Sequence, residues 1–126
     1  MTGFSQLLEI APRCTGYVID RLSFSRVDDL EALDIGLRWG PQKPDIIIAF
    51  RDVYYFSIGR LPGPGAEPLD QVIATVLEPK DGPWPDGVSF DLVRSVSFPS
   101  LVWLRAEGPV QLSVIAAIAT VHLEIS

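Results

Sequence analysis

Polar and apolar residues alternate with period two along much of this chain. Leu33, Ile35, Leu37 and Trp39 alternate with Asp34, Gly36 and Arg38, the pattern of a strand with one buried and one wet face. Ile46, Ile48 and Phe50, then Tyr54, Phe56 and Ile58, share an even row that only Asp52 breaks. Arg51-Asp52 is a poor two-residue hairpin turn, because favoured hairpin turns need residues that tolerate positive φ. The row therefore predicts one long bent strand with a bulge at Asp52. Val88, Phe90, Leu92, Val96 and Phe98 form a further even row, with Arg94 as its polar intruder and Pro99 at its end. A strand from Leu101 to Arg105 follows, then a turn at Glu107-Gly108-Pro109 and a last strand from Val110 towards Ile125. The inward phase of that last strand reads Val110, Leu112, Val114 early and Val121, Leu123, Ile125 late. Such a slip requires a bulge, or burial on both faces, across Ile115 to Ala119.

The remaining segments are shorter. Tyr17 to Phe24 reads as a strand ending in a polar turn at Asp28-Asp29, and Thr2 to Ile10 as a short helix or arm. Within 67–78, Leu69, Val72, Ile73, Val76 and Leu77 fit helical spacing. Their β-branched content tips the segment slightly towards strand. Asparagine is absent, so turns fall to Gly, Pro and Asp, clustered at Gly40–Pro44, Leu61–Pro68 and Pro79–Gly87. The expected fold is all-β, or β-dominated α+β, in a single domain over 1–126. It has seven to eight mostly antiparallel strands in a sandwich or partly closed barrel, with at most two short helices. Its core should hold Leu33, Ile35, Leu37, Ile48, Phe50, Phe56, Phe90, Leu92, Trp103 and Leu112. Trp39, in its strand row, should also be core.

Composition narrows the function classes. Ten Lys and Arg against sixteen Asp and Glu, in 126 residues, give a net charge of -6. The arginines are scattered singly, so neither a phosphate-neutralising basic surface nor a nucleic-acid partner is expected. An acidic surface favours encounter with a cationic partner instead. Cys14 is the single cysteine, which leaves no internal disulfide, CxxC pair or cysteine zinc cage. The first residues lack the features of a secretory signal, and the longest apolar run, Val114 to Val121, is far too short for a bilayer span. A cytoplasmic protein with no membrane partner is the expectation.

No catalytic constellation emerges, so no catalytic residue, metal site or cofactor is assigned. His122 is the one histidine and sits in the polar register of the last strand. Cys14 follows Arg13 but has no partner motif and reads as a packing residue. The stretch Gly59 to Gly65 lacks the Lys-Ser/Thr of a phosphate loop, and its prolines remove amide donors. Asp28, Asp29, Glu31 and Asp34 lack calcium-loop spacing and read as a solvated turn. Asp81, Asp86 and Asp91 bracket Trp84, itself held between Pro83 and Pro85. That arrangement is a candidate anchor for a basic protein partner, or a tryptophan folded back over the core. Tyr54 and Tyr55 are adjacent, so strand geometry sends them to opposite faces, with Tyr55 the exposed one.

The leading expectation is a non-catalytic protein-interaction module that binds through Asp81, Trp84, Asp86 and Tyr55, neutralising or adapting a basic protein. The alternative is a small-molecule-binding or lyase-type β fold with a pocket around Asp52, Tyr54 and Arg94. Asp52 and Arg94 each intrude on an apolar row, so they are expected to meet as a buried ion pair. The doubly apolar stretch Val114 to Ala119 is either covered twice within the chain or buried in a homodimer.

Overall fold

In a computed structural model that describes residues 4–59, 68–86, 88, 93–108 and 110–124, the chain is β-dominated. A short helix α1 (Ser5–Ile10) runs into a 3-10 turn (Ala11–Cys14). The strands are β1 (Val18–Val27), β2 (Leu30–Arg38), β3 (Asp45–Ile58), β4 (Gln71–Leu77), β5 (Leu101–Glu107) and β6 (Leu112–Glu124). They form one antiparallel six-stranded sheet in the order β1-β2-β3-β6-β5-β4. The sheet is open rather than closed into a barrel. Near one end its two outer strands are linked: Gly16 N–H donates to Leu69 O and Leu69 N–H to Tyr17 O, both at 2.9 Å. Gly16 has φ +90°, and a β-carbon there would lie 2.5 Å from the Trp39 ring, so only glycine fits this join.

Six strands replace the expected seven to eight. The segment 71–77 is strand, because Val72, Ala74 and Val76 alternate onto the core while paired to β5. The expected strand 88–98 is absent over residue 88 and residues 93–98, and Phe90 and Leu92 lie outside the described residues. Val93 and Val96 are 79% and 62% exposed. The prolines on both sides of this segment, and side chain to backbone bonds described below, hold it as a loop instead.

One face of the sheet carries the main core. Leu33, Ile35 and Leu37 of β2 lie opposite Phe50, Ile48 and Ile46 of β3, joined by Leu112, Val114 and Ala116 of β6 and by Val102 and Leu104 of β5. Phe4, Leu7, Ala11 and Cys14 cap this face, bringing α1 and the 3-10 turn over β4 and β6. The helix has six residues and no side-chain cap, so it is held by burial of its apolar side rather than by its own propensity. Phe56 is partly buried against this core, where the edge of its ring meets Phe24 at 4.5 Å.

Trp39 is a correction: it lies beyond β2 and is 42% exposed. It packs on Tyr17 with ring centroids 5.4 Å apart, and Lys43 Nζ sits 3.8 Å from its ring centre. The amphipathic ring thus seals the linked edges rather than filling the core.

The even row of β3 is also not what it resembles. Its core-facing residues are Ile46, Ile48, Phe50, Val53, Phe56 and Ile58, so the phase slips by one residue twice. The first slip passes Asp52, which has φ 56°, and β6 matches it by stepping from Ala119 to Ala116. The second is a register shift between Val53 and Tyr55. Two slips restore even parity while removing Tyr54 from the row.

At the β1–β2 turn, Asp28 and Asp29 have φ 52° and 64°, the doubly positive φ of a two-residue hairpin that Asn-Gly fills best. Replacing Asp28-Asp29 by Asn-Gly should therefore stabilise the protein by about 0.5–1 kcal/mol. Urea unfolding midpoints would show this as a higher midpoint with an unchanged slope.

Candidate functional site

The second face of the sheet holds a smaller cluster of Leu77, Leu101, Trp103 and Ile115. Tyr54, Tyr55, Trp84, Val88 and Ala117 pack around it, half-buried. The bulge in β3 is what brings Tyr54 and Tyr55 to the same face, against the expectation of opposite faces. An extra residue in one strand lets consecutive side chains share a side. Tyr55 is consequently half-buried rather than exposed. Burial, reinforced by the Asp52 charge, raises the Tyr54 hydroxyl above its usual pKa.

The segment after β4 forms a cover over this cluster. Trp84 stacks on Phe98 at 6.3 Å, and Phe98 meets Tyr54 at 5.6 Å. Trp84 is thus folded back over the sheet. The cover is tied by polar bonds across its two halves. Arg94 donates to Glu78 O (3.2 Å) and Pro83 O (3.3 Å), and its backbone bridges Gly82. Asp81 Oδ1 accepts the Val96 N–H at 3.1 Å, and Ser100 donates to Glu78 at 3.3 Å.

Asp52 and Arg94 do not meet. No ion pair joins them among the described residues. The Arg94 guanidinium donates to carbonyls of the cover, and Asp52 lies just before the β3 bulge with its own backbone at φ 56°. The half-buried pair that does form is Arg51–Asp34, 2.9 Å apart between neighbouring strands. Its members stand in the polar phase of two recognised strands, so alternation alone could not distinguish them from solvent-facing charges.

Concavities formed by the described residues of the second face include two lined by polar groups. One, of about 340 Å³, is lined by Ser57, Trp103, Arg105, Gln111 and Ser113, with Asp86 contributed by the cover. Ser57, Ser113 and Arg105 fall in one register row across β3, β6 and β5. No motif in the sequence marks this recess, although Arg105 and Ser113 stand in the polar phase of expected strands. What was hidden is the register that aligns them. The other concavity, of about 190 Å³, is lined by Asp20, Arg21, Asp45 and Glu124 among others. No group of three or more His, Cys, Asp and Glu among the described residues is placed to hold a metal ion.

Asp81 and Asp86 are exposed, as is His122. Asp91 and most of Gly59 to Gly65 lie outside the described residues. Ile115 is buried and Ala117 partly so under the cover, while Val114 and Ala116 face the core, so the chain covers both sides of 114–117 itself. Ile118 remains 47% exposed. No helix among the described residues is long and apolar enough to cross a membrane. In comparisons with known proteins, no family model, no curated protein and no solved structure matches the chain.

Cys14 is fully buried beneath the 3-10 turn, its Sγ 3.4 Å from Ile10 O. Arg13 turns away to Glu9, at 3.8 Å on the surface. Burial pushes the thiol from its ordinary 9.0 to about 11. Burial, then the Cys14 and Asp45 charges, move Tyr17 upwards as well. The native state therefore keeps the Cys14 proton at pH values where the unfolded chain has lost it. Its contribution to stability is complete below about pH 9 and is lost as the pH rises through about 11. Urea unfolding at about pH 8 and about pH 11 should differ by on the order of 2 kcal/mol, and Cys14→Ala should flatten much of that difference.

Proposed function

We propose that this chain is a non-catalytic binding module whose working surface is the outside of the cover, and that its partner is a basic protein. One observation carries the reading. The exposed Val96 is tied by its own N–H to the exposed carboxylate of Asp81, which fixes an apolar side chain beside an acidic one. Val93, 79% exposed, lies three residues away, and Asp86 on the same cover adds negative charge. An apolar centre with an acidic rim suits a cationic partner that also offers an apolar anchor. The overall charge of -6 would steer the encounter. Trp84 and Tyr55 support this surface from beneath, as braces rather than contacts.

Asp81→Asn keeps an oxygen for the Val96 N–H and removes only charge, which makes it a clean probe. With the protein as bait, a basic partner should be retained in stoichiometric amount. The Asp81→Asn, Asp86→Asn double variant should weaken that binding by about tenfold at low salt and flatten its salt dependence. Val93→Ser, Val96→Ser should weaken it with the salt dependence intact. Unchanged affinity in both double variants would remove this surface as the binding site.

A further inference from the structure

We propose that the free edge of β1 pairs with the same edge of a second copy of this chain, so that two sheets join across a two-fold axis at Ser23. This goes beyond the protein-binding reading and uses a different edge of the molecule. The two outer strands of the sheet differ. β4 has the 3-10 turn against it, whereas β1, once past the link to Leu69, has β2 as its one neighbour in the sheet.

The β1–β2 turn fixes which backbone groups of β1 are free. A two-residue hairpin closes on a hydrogen-bonded pair, here Val27 with Leu30. Bonded and non-bonded pairs alternate along an antiparallel ladder, so Ser25, Ser23 and Arg21 bond inwards to β2. The N–H and C=O groups of Leu22, Phe24 and Arg26 then point outwards, and no backbone group among the described residues meets them. Leu22 and Phe24 both stand in the core-facing phase, opposite Ile35 and Leu33. Leu22 is half-buried, but Phe24 is 56% exposed and touches Phe56 with ring centroids 4.5 Å apart. A free edge that carries a bare aromatic is a template for another strand.

Self-complementarity selects the occupant. Antiparallel pairing of β1 with itself about Ser23 sets Leu22 opposite Phe24 of the second copy and Arg21 opposite Ser25. Leu22 and Phe24 are both outward-bonding and both core-facing. Each such pair therefore exchanges two backbone bonds and seats a phenyl ring beside a leucine, twice by symmetry. The same register brings Asp20 level with Arg26 of the second copy, where the bulge between Ile19 and Arg21 ends the flat stretch. Centring the pair on Phe24 instead brings Asp20 level with Asp28, and centring it on Ser25 sets Leu22 opposite Asp28. Like charge disfavours the first and a carboxylate against an apolar side chain the second. With one aspartate and two arginines, β1 also lacks the negative charge that elsewhere sets two copies of this -6 chain against each other.

Sedimentation velocity of the full chain, from about 10 µM to about 1 mM, tests the pairing. It should show a reversible monomer–dimer equilibrium with a dissociation constant on the order of 100 µM, as a short interface implies. Phe24→Lys removes the bare ring and puts a charge into the joint. It should weaken dimerisation at least about tenfold, with circular dichroism showing the sheet retained. Ser23→Cys sets a thiol on each side of the axis in a non-hydrogen-bonded pair, with Cα atoms about 4.5 Å apart, close enough for a disulfide. Under mild oxidation it should cross-link into a dimer, and Ser25→Cys, which faces Arg21, should do so at least about tenfold more slowly. A chain that stays monomeric over this range overturns the proposal and leaves the edge to a strand of another protein. A folded Phe24→Lys protein that dimerises like the unaltered chain also overturns it, as does Ser25→Cys cross-linking as fast as Ser23→Cys.

Discussion

The arrangement of the second face depends on how β3 changes phase. A strand that kept strict alternation from Ile46 to Ile58 would put Asp52 and Tyr54 in the core beside Phe50. Instead the backbone turns through φ 56° at Asp52 and slips again before Tyr55. Both tyrosines then join Trp103 and Ile115 on the far side, and Val53 takes the core position. Placing an ionised or hydroxylated side chain in that core would cost more than a left-handed residue does, since an unpaired buried carboxylate is penalised by several kcal/mol and an aspartate in the left-handed region by about 1–2. β6 steps in concert, Ala119 to Ala116, so the pairing of Arg51 with Ile118 and Val53 with Ala116 survives the first slip.

The two faces are consequently closed by different means. The main face is sealed by the apolar side of α1 and its 3-10 extension, a burial that needs no polar bond. The second is sealed by a segment whose described residues form no strand, so its backbone groups cannot be satisfied by a ladder. Arg94 and Asp81 serve that need through the bonds they make to the backbone of Glu78, Pro83 and Val96, and a side-chain bond from Ser100 to Glu78 adds a further tie. This leaves the cover's valines facing outwards, and the recess beside Arg105 open at its margin.

Most of the sheet was legible because burial of one face imposes period two. Leu33, Ile35, Leu37, Ile48, Phe50 and Leu112 are in the core where alternation puts them, and a break near Asp52 was readable from a charge in an apolar row, although the bulge itself falls between Val53 and Tyr55. The second slip was not, because it cancels the first in parity and leaves Phe56 and Ile58 in phase. The row of Val88, Val96 and Phe98 misled for a different reason. Alternation records which residues prefer shelter, and a loop laid across a sheet shelters some of its side chains while meeting none of a strand's hydrogen-bonding requirements. The recess at Arg105 was invisible since it arises from register across β3, β6 and β5, and register is a property of pairs of strands. Trp39 was misplaced because its ring closes an edge over Gly16, a contact between residues far apart in sequence.

The strand order carries a consequence for how the chain is made. β1, β2 and β3 form a meander and β4 and β5 a hairpin, each from neighbouring sequence, and apart from the backbone link of Gly16 and Tyr17 to Leu69 at one end the two units are joined in the sheet through β6. That strand is synthesised after the other five. Until it is in place, the core faces of both units, and the apolar side of the α1 segment that must seat on β4 and β6, have no complete surface to bury against. The nascent protein therefore passes through a stage of two unjoined half-sheets with exposed edges, during which capture of a second chain's β6 is the competing reaction, and release from that hazard comes in a single late step.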